Sequence, residues 1–298
     1  MTIAVAWIRK DKDNKELFFC SDSRLCGGQR WDQCPKLSIL PGEYSMLAFA
    51  GDTNFAYPMI SSIKQALSNY PRIVKRRGMD VVHLSGTMCS IFNFMLNSVY
   101  DVADPDFKPD LEYLVGGYSP LKDDFKIYRL HYVPGSGMIE KNPSLTHISK
   151  NKDCCFVVIG DKKKEFKDAL KKKIISKYGS NFYNKSFCFD YEPFEVICDM
   201  LRESTKEDTI GGPPQMVKCY KFMFAAPVGV YWPSRNQNDL YENRTMLGRT
   251  MMPKEVSDSI FIDPKTNETF TMDYRNTDLD NDSEELETKS RIKRKKTK

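Results

Sequence analysis

The sequence is short of residues that hold metals. It has three histidines, His83, His131 and His147, and no Cys-x-x-Cys. Nine cysteines occur, but the count is odd and the only close pair is the vicinal Cys154-Cys155. A structural zinc site needs ordered ligand spacings, so none is expected, nor is any cofactor, and reduced thiols in a cytoplasm fit best. Long apolar runs are also missing: none approaches the ~20 residues needed to span a bilayer. The apolar start, Thr2 to Trp7, is too short for a secretory signal, and the charges at Arg9 to Asp13 follow it instead of preceding it. No internal repeat is evident.

Charge of one sign is scarce outside the end of the chain. The formal net charge is +5, and Arg291, Lys293, Arg294, Lys295, Lys296 and Lys298 account for that excess by themselves. The rest is close to neutral, so a nucleic-acid footprint over the whole domain is not indicated. The basic run resembles a localisation or polyanion patch only in composition, and a nucleic-acid-associated protein tethered by it is the weakest functional reading. Hydrophobic residues at 41% and aromatics at 12% are ample for a buried core. From about Asn276 the chain turns acidic and then basic with almost no apolar residues, which predicts a solvated, disordered tail over 276–298 behind one domain over 1–275.

Within that domain the pattern predicts an N-terminal hairpin, Thr2 to Ile8 and Glu16 to Cys20, around a charged turn. A second strand pair follows at Lys36 to Leu40 and Tyr44 to Ala50, across the Pro41-Gly42 turn. Two helices are expected at about Asn54 to Ser68 and Met79 to Asp101. Strands then resume at Asp110 to Tyr118, Phe125 to Tyr132 and Cys154 to Ile159. Helices follow at Lys163 to Lys177 and Tyr191 to Glu203. Met216 to Val230 reads as closing strands after the Gly211-Gly212-Pro213-Pro214 break. Helices in two blocks between antiparallel hairpins suggest two sheets covered by helices on both faces, an α+β domain.

Four short segments together carry a resemblance. They are Thr2-Ile3-Ala4-Val5-Ala6, Ser21-Asp22-Ser23-Arg24, Cys34-Pro35-Lys36-Leu37 and Ala48-Phe49-Ala50-Gly51-Asp52. In order and spacing they resemble a proteasome β-type subunit, a family of N-terminal threonine peptidases within the N-terminal-nucleophile hydrolases. Leu114 to Tyr118 and Lys126 to Leu130 are similar to that family's middle hairpin, so the resemblance spans roughly Thr2 to Tyr231. It implies a four-layer αββα sandwich of two antiparallel sheets flanked by helices. It also implies a threonine-type amide hydrolase acting on peptides or unfolded proteins. Such an enzyme would be a ring-forming homo-oligomer with an ATPase partner and no membrane association.

The implied roles make chemical sense. With Met1 removed, Thr2 would be the nucleophile and its own α-amine the base; such an amine titrates near ~7.7–8.0. Lys36 would ease alkoxide formation, Asp22 would hold Lys36 charged and fixed, and the Gly51 N–H would be the oxyanion donor. Substrate contacts would come from Arg24, Phe49, Ala50 and Gly51, with Phe49 narrowing the primary specificity pocket. Two departures stand out. The family's Gly-Ser-Gly reads Gly160-Asp161-Lys162 here, so Asp161 replaces a serine beside the threonine amine. A carboxylate there accepts from the α-ammonium and also favours its charged form, weakening it as a base. The later Asp-x-x-Ser-Gly-Gly reads Glu207-Asp208-Thr209-Ile210-Gly211-Gly212, with Ile210 at the serine position. These departures motivate the alternative of a catalytically inactive scaffold or binding subunit.

Overall fold

The computed structural model describes residues 2–11, 14–42, 44–71, 79–100, 108–142, 146–147, 154–182, 187–221, 224–236, 243–252, 255 and 257–271. The expected tail over 276–298 lies outside the described residues.

Strand β1 (Ile3–Asp11) alternates large and small side chains, and the pleat sends them to opposite faces. Ile3, Val5 and Trp7 join one hydrophobic cluster, while Ala4, Ala6 and Ile8 join another. Its partners β2 (Asn14–Ser21) and β11 (Cys155–Gly160) divide in the same way: Phe18, Cys20, Phe156 and Val158 on one side, Leu17, Phe19, Val157 and Ile159 on the other. Strands buried on both faces read as nearly continuous apolar runs, which is why these segments are legible in the sequence. The hairpin does not stop at Ile8. It continues through the charged residues to Asp11 and Asn14, because Arg9 finds Glu16 at 2.9 Å and Asp190 at 2.6 Å.

Three sheets form among the described residues. The largest has ten strands, in the order β10 (Thr146–His147), β11, β1, β2, β12 (Gln215–Tyr220), β13 (Ala225–Tyr231), β14 (Arg244–Met246), β15 (Arg249–Thr250). Strand β16 (Ile260–Ile262) branches from β13 by parallel pairing and carries β17 (Thr269–Thr271). A five-stranded antiparallel sheet runs β5 (Leu37–Ile39), β6 (Ser45–Gly51), β7 (Leu111–Ser119), β8 (Asp124–Val133), β9 (Met138–Asn142). The third is the hairpin β3 (Leu25–Gly27) with β4 (Gln29–Trp31), turning on Gly28.

Helices α1 (Thr53–Ser68) and α2 (Val81–Leu96) pack with Leu47, Phe49, Tyr113 and Leu130 of the smaller sheet. Helices α3 (Lys163–Tyr178) and α4 (Glu192–Glu203) pack with Trp7, Phe18 and Phe156 of the larger. Each large apolar side chain so buried contributes about 1.5–3 kcal/mol. Gly116 belongs to the contact between the sheets: a Cβ there would lie 3.0 Å from the Phe19 ring.

The expected four-layer αββα sandwich of two antiparallel sheets requires correction. Among the described residues strand outweighs helix, 38% against 27%, there are three sheets and four helices, and the largest sheet is mixed. The extra strand content comes mainly from Arg244 to Thr271 and from β3–β4. These strands are two or three residues long, too short for alternation to register.

Candidate active site

Thr2 immediately precedes β1, and Asp22 follows β2, so one hairpin of the larger sheet brings them together. Lys36 immediately precedes β5 of the smaller sheet. Its ammonium Nζ donates to Thr2 Oγ1 at 2.6 Å and to Asp22 Oδ1 at 2.8 Å. The Lys36 and Asp22 side chains are both 0% exposed, and Thr2 is 1% exposed.

An ion pair this deep survives only if its remaining lone pairs are met. Asp22 meets them with backbone donors: Oδ1 also accepts from Ile3 N–H, and Oδ2 accepts from Arg24 and Gly211 N–H, all at 3.1–3.2 Å. Burial holds the Asp22 carboxyl above its ordinary value, opposed by Lys36 and by the Ile3 and Arg24 N–H groups.

Sequence reasoning missed the residue that joins the two halves. Gln215, at the start of β12, is 0% exposed and uses both ends of its amide. Its Oε1 accepts from the N–H of Lys36 and Leu37, while its Nε2 donates to the carbonyls of Asp22 and Cys34. A polar residue opening an apolar strand behind Pro213-Pro214 was the available signal.

On the other side of Thr2, Asp161 Oδ1 accepts the Thr2 N–H at 2.9 Å. Its Oδ2 accepts from the Thr209 hydroxyl. The hydroxyl sought at position 210 is therefore supplied one residue earlier; Ile210 itself is buried in the core cluster of α3 and α4. Glu207 pairs with Arg30 instead, and Asp208 Oδ2 accepts from Thr205 within its own turn. The backbone sets Asp161 firmly: its N–H donates to the Thr2 carbonyl at 3.1 Å. Gly160, at φ +102°, fits because a Cβ there would fall 1.8 Å from that carbonyl oxygen.

Thr2 opens onto a cleft of about 400 Å³ whose lining includes Cys26, Gly28, Gly51, Thr53, Lys108 and Asp110. Gly51 ends β6 at φ +106°, where a Cβ would lie 1.9 Å from the Asp110 carbonyl oxygen. Asp52, also on the wall, caps α1 by accepting from the Asn54 N–H at 2.9 Å, worth about 1 kcal/mol.

The remaining expected substrate-contact residues sit elsewhere. The Arg24 guanidinium grips Asp32 and the carbonyls of Thr205, Asp208 and Ile210, which docks the 205–211 turn beside Asp22. Phe49 is buried against α1, edge-on to Tyr57 at 5.2 Å. Ala50 points into the core between the sheets. None of the three lines the cleft, whereas Thr2 and Gly51 do. The structure thus brings Thr2, Asp22, Lys36 and Asp161 together with Gly51 on the cleft wall.

Among the described residues no cluster of His, Cys, Asp or Glu could hold a metal ion, and no helix is long and apolar enough to cross a membrane. Compared with protein-family models and with curated protein sequences, the chain matches none.

Proposed function

We propose that this chain is a threonine-type amide hydrolase, a proteasome-like peptidase acting through Thr2 with Met1 removed. The observation that carries the reading is the buried Lys36 ammonium held between Asp22 and the Oγ1 of Thr2, the one member of the three that borders the open cleft. In the proposed reaction the Thr2 α-amine takes the Oγ1 proton as Oγ1 attacks the substrate carbonyl carbon. Lys36 stabilises the developing alkoxide, and the Gly51 N–H stabilises the oxyanion. The C–N bond breaks, and the leaving amine departs with the proton held by the α-amine. Water, deprotonated by the same amine, then hydrolyses the Thr2 ester and restores the hydroxyl.

The proposed setting is a cytoplasmic homo-oligomer, a ring fed by an ATPase partner. Exposed Trp31, Phe94, Tyr100 and Met252 offer apolar surface that self-association would cover. A second reading, an inactive scaffold, draws on one observation: Asp161 already engages the Thr2 nitrogen, and a carboxylate beside an amine keeps it charged and weakens it as a base.

Intact mass before and after a peptidyl epoxyketone, with hydrolysis of a fluorogenic peptide library, separates the two readings. The peptidase reading expects one adduct per chain and turnover that is lost in Thr2→Ala but measurable in Thr2→Ser. A sample that begins at Met1, takes up no epoxyketone and hydrolyses nothing leaves the scaffold reading standing.

A further inference from the structure

We propose that the cavity between β8, β11 and α3 is a binding site for a phosphate group carried by a small molecule. The cavity encloses about 460 Å³ and is lined by Arg129, Thr146, Val157, Val158, Lys163, Lys164, Lys167 and Asp168. Its size falls within the range of small-molecule sites. None of its lining residues borders the cleft at Thr2.

The charge balance points to a dianion. Four cations line the cavity, and the carboxylates facing them are Asp168 and Glu112. Arg129 and Lys163 share the single Glu112 carboxylate, so neither is neutralised by a partner of its own. Lys164 and Lys167 form no ion pair with any described residue.

The lysines come from the first two turns of α3, a sixteen-residue helix whose N-cap residue, Lys162, gives no side-chain cap. The positive end of the helix dipole therefore adds to the same field. A phosphate monoester carries close to two negative charges at neutral pH and several acceptor oxygens, matching the excess of two cations and their N–H forks. The volume of about 460 Å³ leaves room for an organic group attached to it.

Isothermal titration with sodium pyrophosphate and with inorganic phosphate, against sodium chloride at matched ionic strength, tests the site. Saturable binding of one anion per chain is expected, with chloride giving none. Lys164→Gln/Lys167→Gln, both exposed and remote from any packing, should weaken it at least tenfold, as should Arg129→Gln. Lys171→Gln/Lys172→Gln, on the same helix but outside the cavity, should leave it within twofold. Binding no stronger than chloride, or equal losses in the cavity and control variants, would overturn the proposal.

Discussion

The two flanks of Thr2 are built on different physical terms. On the hydroxyl side, Lys36 and Asp22 are wholly removed from water, and every acceptor of Asp22 is matched to a donor. On the nitrogen side, Asp161 is exposed, and its carboxylate is steadied by the Thr2 N–H and by the hydroxyl of the half-buried Thr209. A charge buried in low dielectric acts strongly and tolerates no orphaning, whereas an exposed one is screened and adjustable. On the proposed mechanism one flank therefore carries both activity and stability, and the other tunes activity while contributing little to the fold.

The largest effect expected from that contrast is Lys36→Ala. It leaves Asp22 buried without its cation, so unfolding free energy should fall by about 3–5 kcal/mol, read from urea denaturation. On the proposed mechanism, peptide hydrolysis should fall to the level of Thr2→Ala, and the double variant should lose little more, since members of one catalytic unit are not additive. A stable Lys36→Ala protein would mean that the buried flank is less tightly coupled than its geometry implies.

Next in size is Gln215→Leu. The substitution orphans the N–H groups of Lys36 and Leu37 and the Cys34 carbonyl, and leaves the Asp22 carbonyl only the Ser21 hydroxyl; each group is worth about 1–3 kcal/mol if buried unsatisfied. Partial relaxation should bring the total to about 3 kcal/mol. Its distinguishing signature would be retained folding at low temperature with loss of epoxyketone labelling, because the segments bearing Lys36 and Asp22 are no longer pinned together.

Glu112 gives a smaller, pH-dependent effect. Burial alone would raise its carboxyl, but the Gly160 N–H at 2.8 Å, Lys163 and Arg129 hold it below the ordinary value of 4.5. A depressed folded value means that its stabilisation is complete above about pH 4.5 and is lost as pH falls through the folded value. Melting temperature against pH should therefore fall less steeply below pH 4.5 in Glu112→Gln than in the parent. Parallel curves would show that Glu112 is not the group responsible.

The smallest effect on stability belongs to the exposed flank. Asp161→Ser and Thr209→Val should each change unfolding free energy by under about 1 kcal/mol. Asp161→Ser should maintain or raise hydrolysis at neutral pH, because it removes a carboxylate from beside the amine. A large stability loss in either variant would erase the contrast between the flanks.

Much of this was legible because burial on two faces leaves a strong imprint. Continuous apolar runs marked β1, β2, β6, β7 and β11, and all four described helices were expected from the pattern. Thr2, Asp22 and Gly51 sit at the ends of β1, β2 and β6, whereas Lys36 precedes the short β5 and stood out only through the motif resemblance. The strands after Arg244 were invisible because they are too short to alternate. Arg24, Phe49 and Ala50 were assigned to substrate by position in a motif, but side-chain direction depends on pleat and register, which the motif does not encode. Gln215 and Thr209 escaped because their roles arise from contacts across 179 and 48 residues.

Gly160 has a consequence for how this site can change over generations. Its backbone conformation, the Glu112 carboxylate on its N–H and the Asp161 N–H on the Thr2 carbonyl fix the turn without using the side chain at position 161. The turn is thus a mount whose fitting can be exchanged. Serine, aspartate or another short polar residue fits position 161 with the main chain unmoved, so on the proposed mechanism single substitutions there would adjust the basicity of the neighbouring nitrogen without disturbing the fold.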